Sequence, residues 1–383
     1  MSLQTAALCF IVCHGGPADH IATYAQTLKE QGINIRIYAV GDAAIKKFQE
    51  RKIEIDTTFS LKRPNEVDEL SKVVAKTFSV VVTDVGDPYD IKLQQSLADH
   101  APKVSRWAYY DNFDPFVPGG YSKTAAQVML AAEGILFANQ KFETTPVCNG
   151  DEKEIDFGNR VRIGIGYYPL DKAEAIIKRR VEERAMLRSK ILSESKIEEV
   201  GQKILVYYGG NNDEYFSNAF PAFISLLEEA AQDKDLSNYV IMLQKHPGAS
   251  KESKDTQLVL NQIEKFKDNK KTPKLIFSPL SSSDDAQVGS DLGCYYQTSM
   301  GLQMVWAGIP LFQIGHRTHK DVLINNELCP SVLEASQLID VLNNPEKITP
   351  KIDSKDDLRE KLGIRKDKDW QDILLKAFSS AKR

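Results

Sequence analysis

Hydrophobic residues in this chain gather into short continuous runs, separated by longer segments in which apolar positions recur every three or four residues. Short unbroken runs are typical of strands covered on both faces, and the wider spacing is typical of amphipathic helices. Runs that predict strands lie at residues 8–12, 33–40, 80–83, 104–110, 134–138, 204–208, 239–243, 274–277, 292–296 and 311–314. Strands that alternate with helices in this way indicate βαβ units and parallel sheets.

The predicted strands form two series, one in each half of the chain. Because 383 residues are too many for one ordinary core, we predict an α/β protein with two doubly wound, Rossmann-like domains that face a cleft. The predicted bounds are 1–170 for the N-terminal domain, 171–201 for a charged helical linker, 202–350 for the C-terminal domain and 351–383 for a helical tail. An apolar stripe in the tail, which includes Trp370 and Phe378, predicts a terminal helix that packs on one of the domains.

Composition narrows the class of protein. A net charge of −4 argues against a nucleic-acid-binding protein that relies on a basic surface. No apolar run is long enough to cross a bilayer, and the five scattered cysteines suit reduced, buried thiols better than disulfides or a zinc site. We therefore expect a cytoplasmic protein without a transmembrane segment or a bound metal. The charged segment 171–201 predicts a solvated helix, and peripheral membrane contact is the open alternative.

The first predicted strand leads into His14, Gly15 and Gly16, and Pro17 then predicts the start of a helix. On that prediction His20 lies in the first helical turn, where the helix dipole favours a neutral imidazole that can accept a proton. The loop after the first strand of a doubly wound sheet lies at the rim of the ligand crevice. We therefore expect His20, in preference to His14, to be a general base, the alternative being a histidine that bonds a loop carbonyl.

A carboxylate is expected to orient this base. Asp84, Asp87, Asp111 and Asp114 all follow predicted strands, and each is also a common turn or cap residue. We favour Asp111, because it lies directly at the end of the run 104–110.

In the second half, two polar segments follow neighbouring predicted strands. Gly209 and Gly210 come directly after residues 204–208 and would let a ligand approach the backbone closely. Lys245 and His246 follow residues 239–243, where they would neutralise a diphosphate or form a plain loop.

The segment 292–310 predicts a strand, a turn and a short helix. Ser299 is suited to cap that helix, and Met300 and Gly301 would present backbone N–H groups to a phosphate. Gln303 lies one turn further along, within reach of a ribose. An ordinary strand–turn–helix unit is the alternative, but a basic cluster after the last strand, at residues 316–320, favours an anion site.

These segments resemble the GT-B superfamily of glycosyltransferases, including the bacterial enzymes that form lipid II, capsule and lipopolysaccharide sugar transferases, and UDP-N-acetylglucosamine 2-epimerase. The similar stretches are GGPADHIATYAQTLKEQG at 15–32, LQKHPG at 243–248 and TSMGLQMVWAGIPLFQIG at 298–315. The resemblance implies that His20 is the acceptor-side base, that Gly209 and Gly210 lie beneath the donor sugar, and that residues 299–301 bind its diphosphate. Gln303 stands where the family has a ribose-binding acid.

The resemblance implies a metal-independent glycosyltransferase that moves a sugar from a nucleotide-sugar donor to a bacterial glycoconjugate or polysaccharide acceptor. Its partners would be that donor and a glycan or lipid-linked acceptor, with no separate cofactor and no nucleic acid. A UDP-sugar 2-epimerase, which needs an acid and a base carboxylate and no second substrate, is one alternative. The other is a GT-B-like binding protein without turnover, which the replacement of a carboxylate by Gln303 favours.

Overall fold

The structure is a computed structural model that describes residues 8–59, 66–117, 120–198, 200–210, 215–244, 254–266, 269–296, 299–314 and 321–380. The chain divides into two compact units, Met1–Pro169 with Arg359–Arg383, and Leu170–Leu358. Each unit is built on one parallel sheet with helices on both sides, which confirms the predicted fold class.

The first unit contains a seven-stranded sheet in the order β3-β2-β1-β4-β5-β6-β7. Its strands are β1 (Leu8–Val12), β2 (Ile35–Val40), β3 (Thr57–Phe59), β4 (Val80–Thr83), β5 (Ser105–Tyr110), β6 (Gly134–Phe137) and β7 (Val161–Gly164). The helices between them are α1 (Gly15–Glu30), α2 (Asp42–Glu50), α3 (Glu66–Thr77), α4 (Pro88–His100) and α5 (Gly120–Ala131). Every residue of β1, β4 and β6 is buried, as expected for central strands between two helical layers.

The second unit contains a six-stranded sheet in the order β10-β9-β8-β11-β12-β13. The strands are β8 (Lys203–Tyr208), β9 (Tyr239–Gln244), β10 (Lys274–Phe277), β11 (Leu292–Tyr295), β12 (Leu311–Ile314) and β13 (Ser331–Val332). The helices are α6 (Leu170–Glu182), α7 (Arg184–Glu194), α8 (Phe220–Asp233), α9 (Lys254–Phe266), α10 (Ser283–Gly289), α11 (Met300–Trp306), α12 (Val322–Asn325) and α13 (Ala335–Asn343). Within the described residues, no helix is both long and apolar enough to cross a bilayer.

The charged segment at 171–201 belongs to the second unit, although the sequence predicted a separate linker. It forms α6 and α7, which pack against α10. Arg179 contacts Asp285 and Arg188 contacts Asp291, each at 2.6 Å. Arg179 and Arg188 therefore form ion pairs with α10 and the residues that follow it, so this segment is not simply a solvated helix face.

The C-terminal tail returns to the first unit. After α14 (Lys355–Leu362), helix α15 (Asp367–Ser380) packs on α1. The Trp370 ring lies 5.6 Å from the Tyr24 ring and 4.8 Å from the Tyr167 ring, measured between centroids, and Phe378 lies 6.3 Å from Phe10. The predicted apolar stripe is thus buried in the first unit's core.

Candidate active site

The carboxyl ends of β1 and β4 mark the place where the strand order of the first sheet reverses. In open parallel sheets of this kind, ligands bind beyond the carboxyl ends of the strands at this switch point. His14 lies two residues beyond the end of β1, and Asp84 directly follows β4. Asp111 directly follows the neighbouring strand β5. The fold therefore gathers three titratable side chains at one edge of the sheet.

His14 and Asp84 form a hydrogen-bonded pair at this edge. The Asp84 Oδ2 atom lies 2.9 Å from Nδ1 of His14, and it also accepts from the backbone N–H groups of His14 at 2.8 Å and Cys13 at 3.0 Å. The Asp84 side chain is fully buried, whereas the His14 side chain is 38% exposed. A carboxylate at Nδ1 favours the tautomer that carries its proton there, which leaves Nε2 as the basic atom.

The surroundings of His14 raise its pKa above the ordinary 6.5. Burial by itself lowers this pKa, since it disfavours the charged ring. The hydrogen bond to Asp84, with the charges of Asp84, Asp111 and Asp87, outweighs that effect. The His14 imidazole is therefore more basic than that of a free histidine.

Two glycines, which have no side chain, make room for the side chains of His14 and Asp111. A Cβ atom on Gly86 would lie 2.7 Å from Cε1 of the His14 ring, and one on Gly16 would lie 2.6 Å from Oδ2 of Asp111. Both distances are shorter than any normal contact of a Cβ atom. Gly16 therefore serves a close approach of Asp111, while Gly15 has only an ordinary contact, 3.7 Å from the Ala43 carbonyl oxygen.

Asp111 is a half-buried carboxyl group whose pKa is raised to about 6. Burial is the main cause, followed by the charge of Asp84, while His14 and the hydrogen bond from the Tyr121 hydroxyl, at 3.2 Å, lower the pKa. Near neutral pH this group can exchange a proton, which an ordinary surface aspartate cannot do.

His20 occupies a different environment from the one predicted. Helix α1 begins at Gly15 and not at Pro17, so His20 lies in its second turn and is only 6% exposed. Its Nδ1 atom lies 2.6 Å from the hydroxyl of Tyr109, which takes the place predicted for Asp111. The rings of Tyr167 and Tyr168 lie 5.4 and 6.1 Å from the imidazole. His20 is thus enclosed by aromatic side chains, whereas the His14 side chain is partly exposed.

The sequence favours Asp111 over Asp84 as the partner of the base, whereas the structure pairs Asp84 with His14. The order of strands in a doubly wound sheet could have indicated Asp84. In such a sheet the first strand pairs with the fourth strand as well as with the second. A carboxylate directly after the fourth strand is then the natural neighbour of a histidine after the first. The pair joins residues 70 positions apart, so no local pattern reveals it.

In the second unit the strand order reverses between β8 and β11. Gly209 and Gly210 directly follow β8, Ser299 is the N-cap residue of α11, and Met300 and Gly301 are the first two residues of that helix. The predicted donor residues of these two segments therefore share the switch point of one sheet. Lys245 and His246 follow the neighbouring strand β9 and lie outside the described residues, as does the basic cluster at 316–320.

The glycines of this second edge make room for side chains of the protein itself. A Cβ on Gly209 would lie 2.1 Å from the Tyr215 hydroxyl, and one on Gly301 would lie 2.9 Å from Cδ1 of Leu323. A Cβ on Gly210 would lie 3.1 Å from the Tyr215 side chain. Phosphate binding by the backbone of Gly301 stays a prediction.

Two polar details of α11 also differ from expectation. The Ser299 hydroxyl makes no capping hydrogen bond, and its backbone already has helical dihedral angles. Gln303 is 5% exposed, and its Oε1 atom accepts a hydrogen bond from Nε2 of Gln287 at 3.2 Å. The amide oxygen proposed for a ribose thus has a partner within the protein, and the ribose contact remains a prediction.

Asp321, which the sequence did not single out, anchors the chain after the basic cluster. Its Oδ2 atom accepts from the Tyr295 hydroxyl at 2.5 Å and from Nε2 of Gln313 at 3.1 Å. Its Oδ1 atom accepts from the backbone N–H groups of Leu323 and Ile324, at the start of α12. Asp321 thus ties the start of α12 to β11 and β12.

Comparison with solved structures identifies the fold. A UDP-GlcNAc 2-epimerase of Methanocaldococcus jannaschii, in complex with UDP-GlcNAc and UDP, aligns over 98% of this chain and 99% of its own, with a TM-score of 0.63 and 13% identity. A glycosyltransferase of Rickettsia africae aligns over 98% of both chains, with a TM-score of 0.59 and 14% identity. The protein has the GT-B fold.

A UDP-N-acetylglucosamine 2-epimerase of Rickettsia bellii has the same GT-B fold, with a TM-score of 0.58 and 13% identity over 98% of this chain and 95% of its own. No family model matches the sequence, and no curated protein matches it significantly. Identities this low establish the GT-B fold alone. A shared fold does not fix the chemistry, which depends on this chain's own residues.

Proposed function

We propose that the protein is a nucleotide-sugar glycosyltransferase in which His14, oriented by Asp84, is the general base. The observation that carries the proposal is the 2.9 Å hydrogen bond between a buried carboxylate and a partly exposed imidazole, at the switch point of the first sheet. The GT-B neighbours include a protein named as a glycosyltransferase and epimerases bound to UDP-GlcNAc, which supports a nucleotide sugar as substrate.

In the proposed reaction, Nε2 of His14 takes the proton of an acceptor hydroxyl as that oxygen attacks the anomeric carbon of the donor sugar. The bond from the sugar to the nucleoside diphosphate breaks, and the diphosphate leaves with the electron pair. Asp84 stabilises the imidazolium that forms, as a buried carboxylate does in other histidine-based sites. The proposal assigns acceptor activation to the first unit and donor binding to residues 209–210 and 299–301 of the second, with a bacterial glycan or lipid-linked acceptor.

The test starts with thermal shift across a panel of nucleotides and UDP-sugars, followed by measurement of released UDP with and without glycan acceptors. We expect one nucleotide to stabilise the protein and UDP release to depend on acceptor. His14→Gln should lower turnover about 10²–10⁴-fold while leaving the nucleotide shift intact. His100→Gln, at a partly exposed histidine on α4, is the matched control. Stabilisation by no nucleotide would favour the binding-protein alternative.

A 2-epimerase is the second candidate, and Asp111 is the observation that favours it. Removal and return of a proton at carbon need an acid and a base, and the pKa of about 6 suits Asp111 to such a role beside His14. Incubation with a UDP-sugar alone separates the candidates. A changed sugar without released UDP identifies the epimerase, whereas UDP released only with an acceptor identifies the transferase.

A further inference from the structure

Beneath the His14–Asp84 pair lies a second buried carboxyl group, Asp90, on α4. Its Oδ1 atom accepts from the Cys13 thiol at 3.3 Å, and its Oδ2 atom accepts from the backbone N–H of Asp87 at 3.0 Å. Both Asp84 and Asp90 are 0% exposed. One oxygen of each carboxyl group and the Cys13 sulfur lie within 4.8 Å of one another.

Two carboxylates cannot both be ionised at such a place without a large cost. Buried like charges this close raise the pKa of one member of the pair, because the second charge is neither hydrated nor neutralised. Among the described residues, the titratable groups that face the pair are Cys13, His14, Asp87, Tyr89, Asp111 and Tyr121. Of these only His14 carries positive charge, which balances one carboxylate and not two.

Hydrogen bonding decides which carboxyl group carries the proton. Oδ2 of Asp84 accepts two backbone N–H groups and faces the imidazole, a set of donors that stabilises an anion. Oδ1 of Asp84 is buried and has no hydrogen-bond partner among the described residues. Asp90 has one backbone donor and one weak thiol donor, and burial together with the charge of Asp84 raises its pKa. A proton on Asp90 supplies the donor that Oδ1 of Asp84 lacks.

We propose that Asp90 is a protonated positioning residue, which donates a hydrogen bond to Asp84 and so fixes the single carboxylate that orients His14. The pair then presents one negative charge to the imidazole over the range in which His14 titrates. The role concerns the geometry and titration of His14, so it does not require the proposed transferase reaction.

The test is a pH titration of the His14 ring in the full chain, monitored by NMR. The His14→Gln variant identifies which ring signal belongs to His14. Asp90→Asn replaces a neutral hydroxyl donor by a neutral amide donor of similar shape, so we expect the pKa of His14 to be unchanged. Asp84→Asn, the matched control, removes the ionised partner and should lower that pKa. If Asp90 were ionised, Asp90→Asn would also remove a negative charge and lower it, which overturns the proposal.

Two further measurements keep the proposal testable if a variant folds poorly. The infrared spectrum of the wild-type protein at pH 8, where Asp111 with its pKa of about 6 is ionised, should contain the carbonyl band of a buried carboxylic acid, and its absence would overturn the proposal. Zinc added to the wild-type protein should leave the melting temperature unchanged. If zinc raises the melting temperature and Cys13→Ser abolishes that rise, then Cys13, Asp84 and Asp90 hold a metal ion. That result would also overturn the proposal.

Discussion

Gly86→Ala tests the candidate base by a steric change that replaces no titratable residue. The new Cβ would lie 2.7 Å from Cε1 and 2.9 Å from Nδ1 of His14. Non-bonded carbon atoms keep about 3.5 Å apart, so the ring must retreat by about 0.8 Å or change rotamer. A shift of that size takes the 2.9 Å bond to Asp84 beyond the limit of about 3.5 Å.

Loss of the His14–Asp84 hydrogen bond should lower turnover much more than it lowers stability. A hydrogen bond to a charged group contributes about 1.5–3 kcal/mol, but the His14 side chain is 38% exposed, so we expect a loss of only about 1 kcal/mol. Without Asp84 at Nδ1, the pKa of His14 should fall and turnover should drop about 10²–10⁴-fold.

The assay combines NMR titration of the His14 ring, thermal melting and turnover on the substrate found in the nucleotide screen. Gly120→Ala, at a helical glycine whose added Cβ would have no neighbour within 4 Å, is the matched control and should change none of the three. A Gly86→Ala protein with an unchanged His14 titration and unchanged turnover would refute the assignment of His14 as the oriented base.

Three further predictions follow from the same geometry. Asp111→Asn should remove a pH dependence of stability. Because burial raises the pKa of Asp111 to about 6, the contribution of this carboxyl group to stability is complete below pH 4 and is lost as the pH rises through 6. In thermal melting at pH 8, the variant should therefore be more stable than the wild type by up to about 3 kcal/mol. His20→Ala should lower stability by about 3 kcal/mol and leave turnover per folded molecule nearly unchanged, and a drop in turnover of 10²-fold or more would restore His20 as the base. Gly209→Ala should cost about 1–3 kcal/mol in chemical denaturation because its Cβ meets Tyr215, and an unchanged midpoint would show that the loop relaxes freely.

The sequence predicted the fold well because the central strands are unbroken apolar runs, and all ten predicted strands are present within two residues of their predicted bounds. The strands it missed, β3, β7 and β13, are edge strands. Each of them is short, and β3 has two exposed residues and one half-buried residue, so they lack a continuous apolar pattern.

The candidate site was predicted less well because it depends on pairing between distant segments. The proline at position 17 predicts the start of α1 two residues late, which places His20 in the first turn and makes it the favoured base in preference to His14. The partners of both histidines, Asp84 and Tyr109, lie 70 and 89 positions away. Composition and periodicity describe local structure, so they indicate which edge of the sheet holds a ligand but not which side chains meet there.

The return of α15 to the first unit has a consequence for the order in which the protein is made. The second unit is one uninterrupted stretch, Leu170–Leu358, so a ribosome completes its sequence while the first unit still lacks Arg359–Arg383. Until α15 emerges, Tyr24, Tyr167 and Phe10 lack the rings of Trp370 and Phe378 that cover them. The half of the protein that is synthesised first should therefore be the half that finishes folding last.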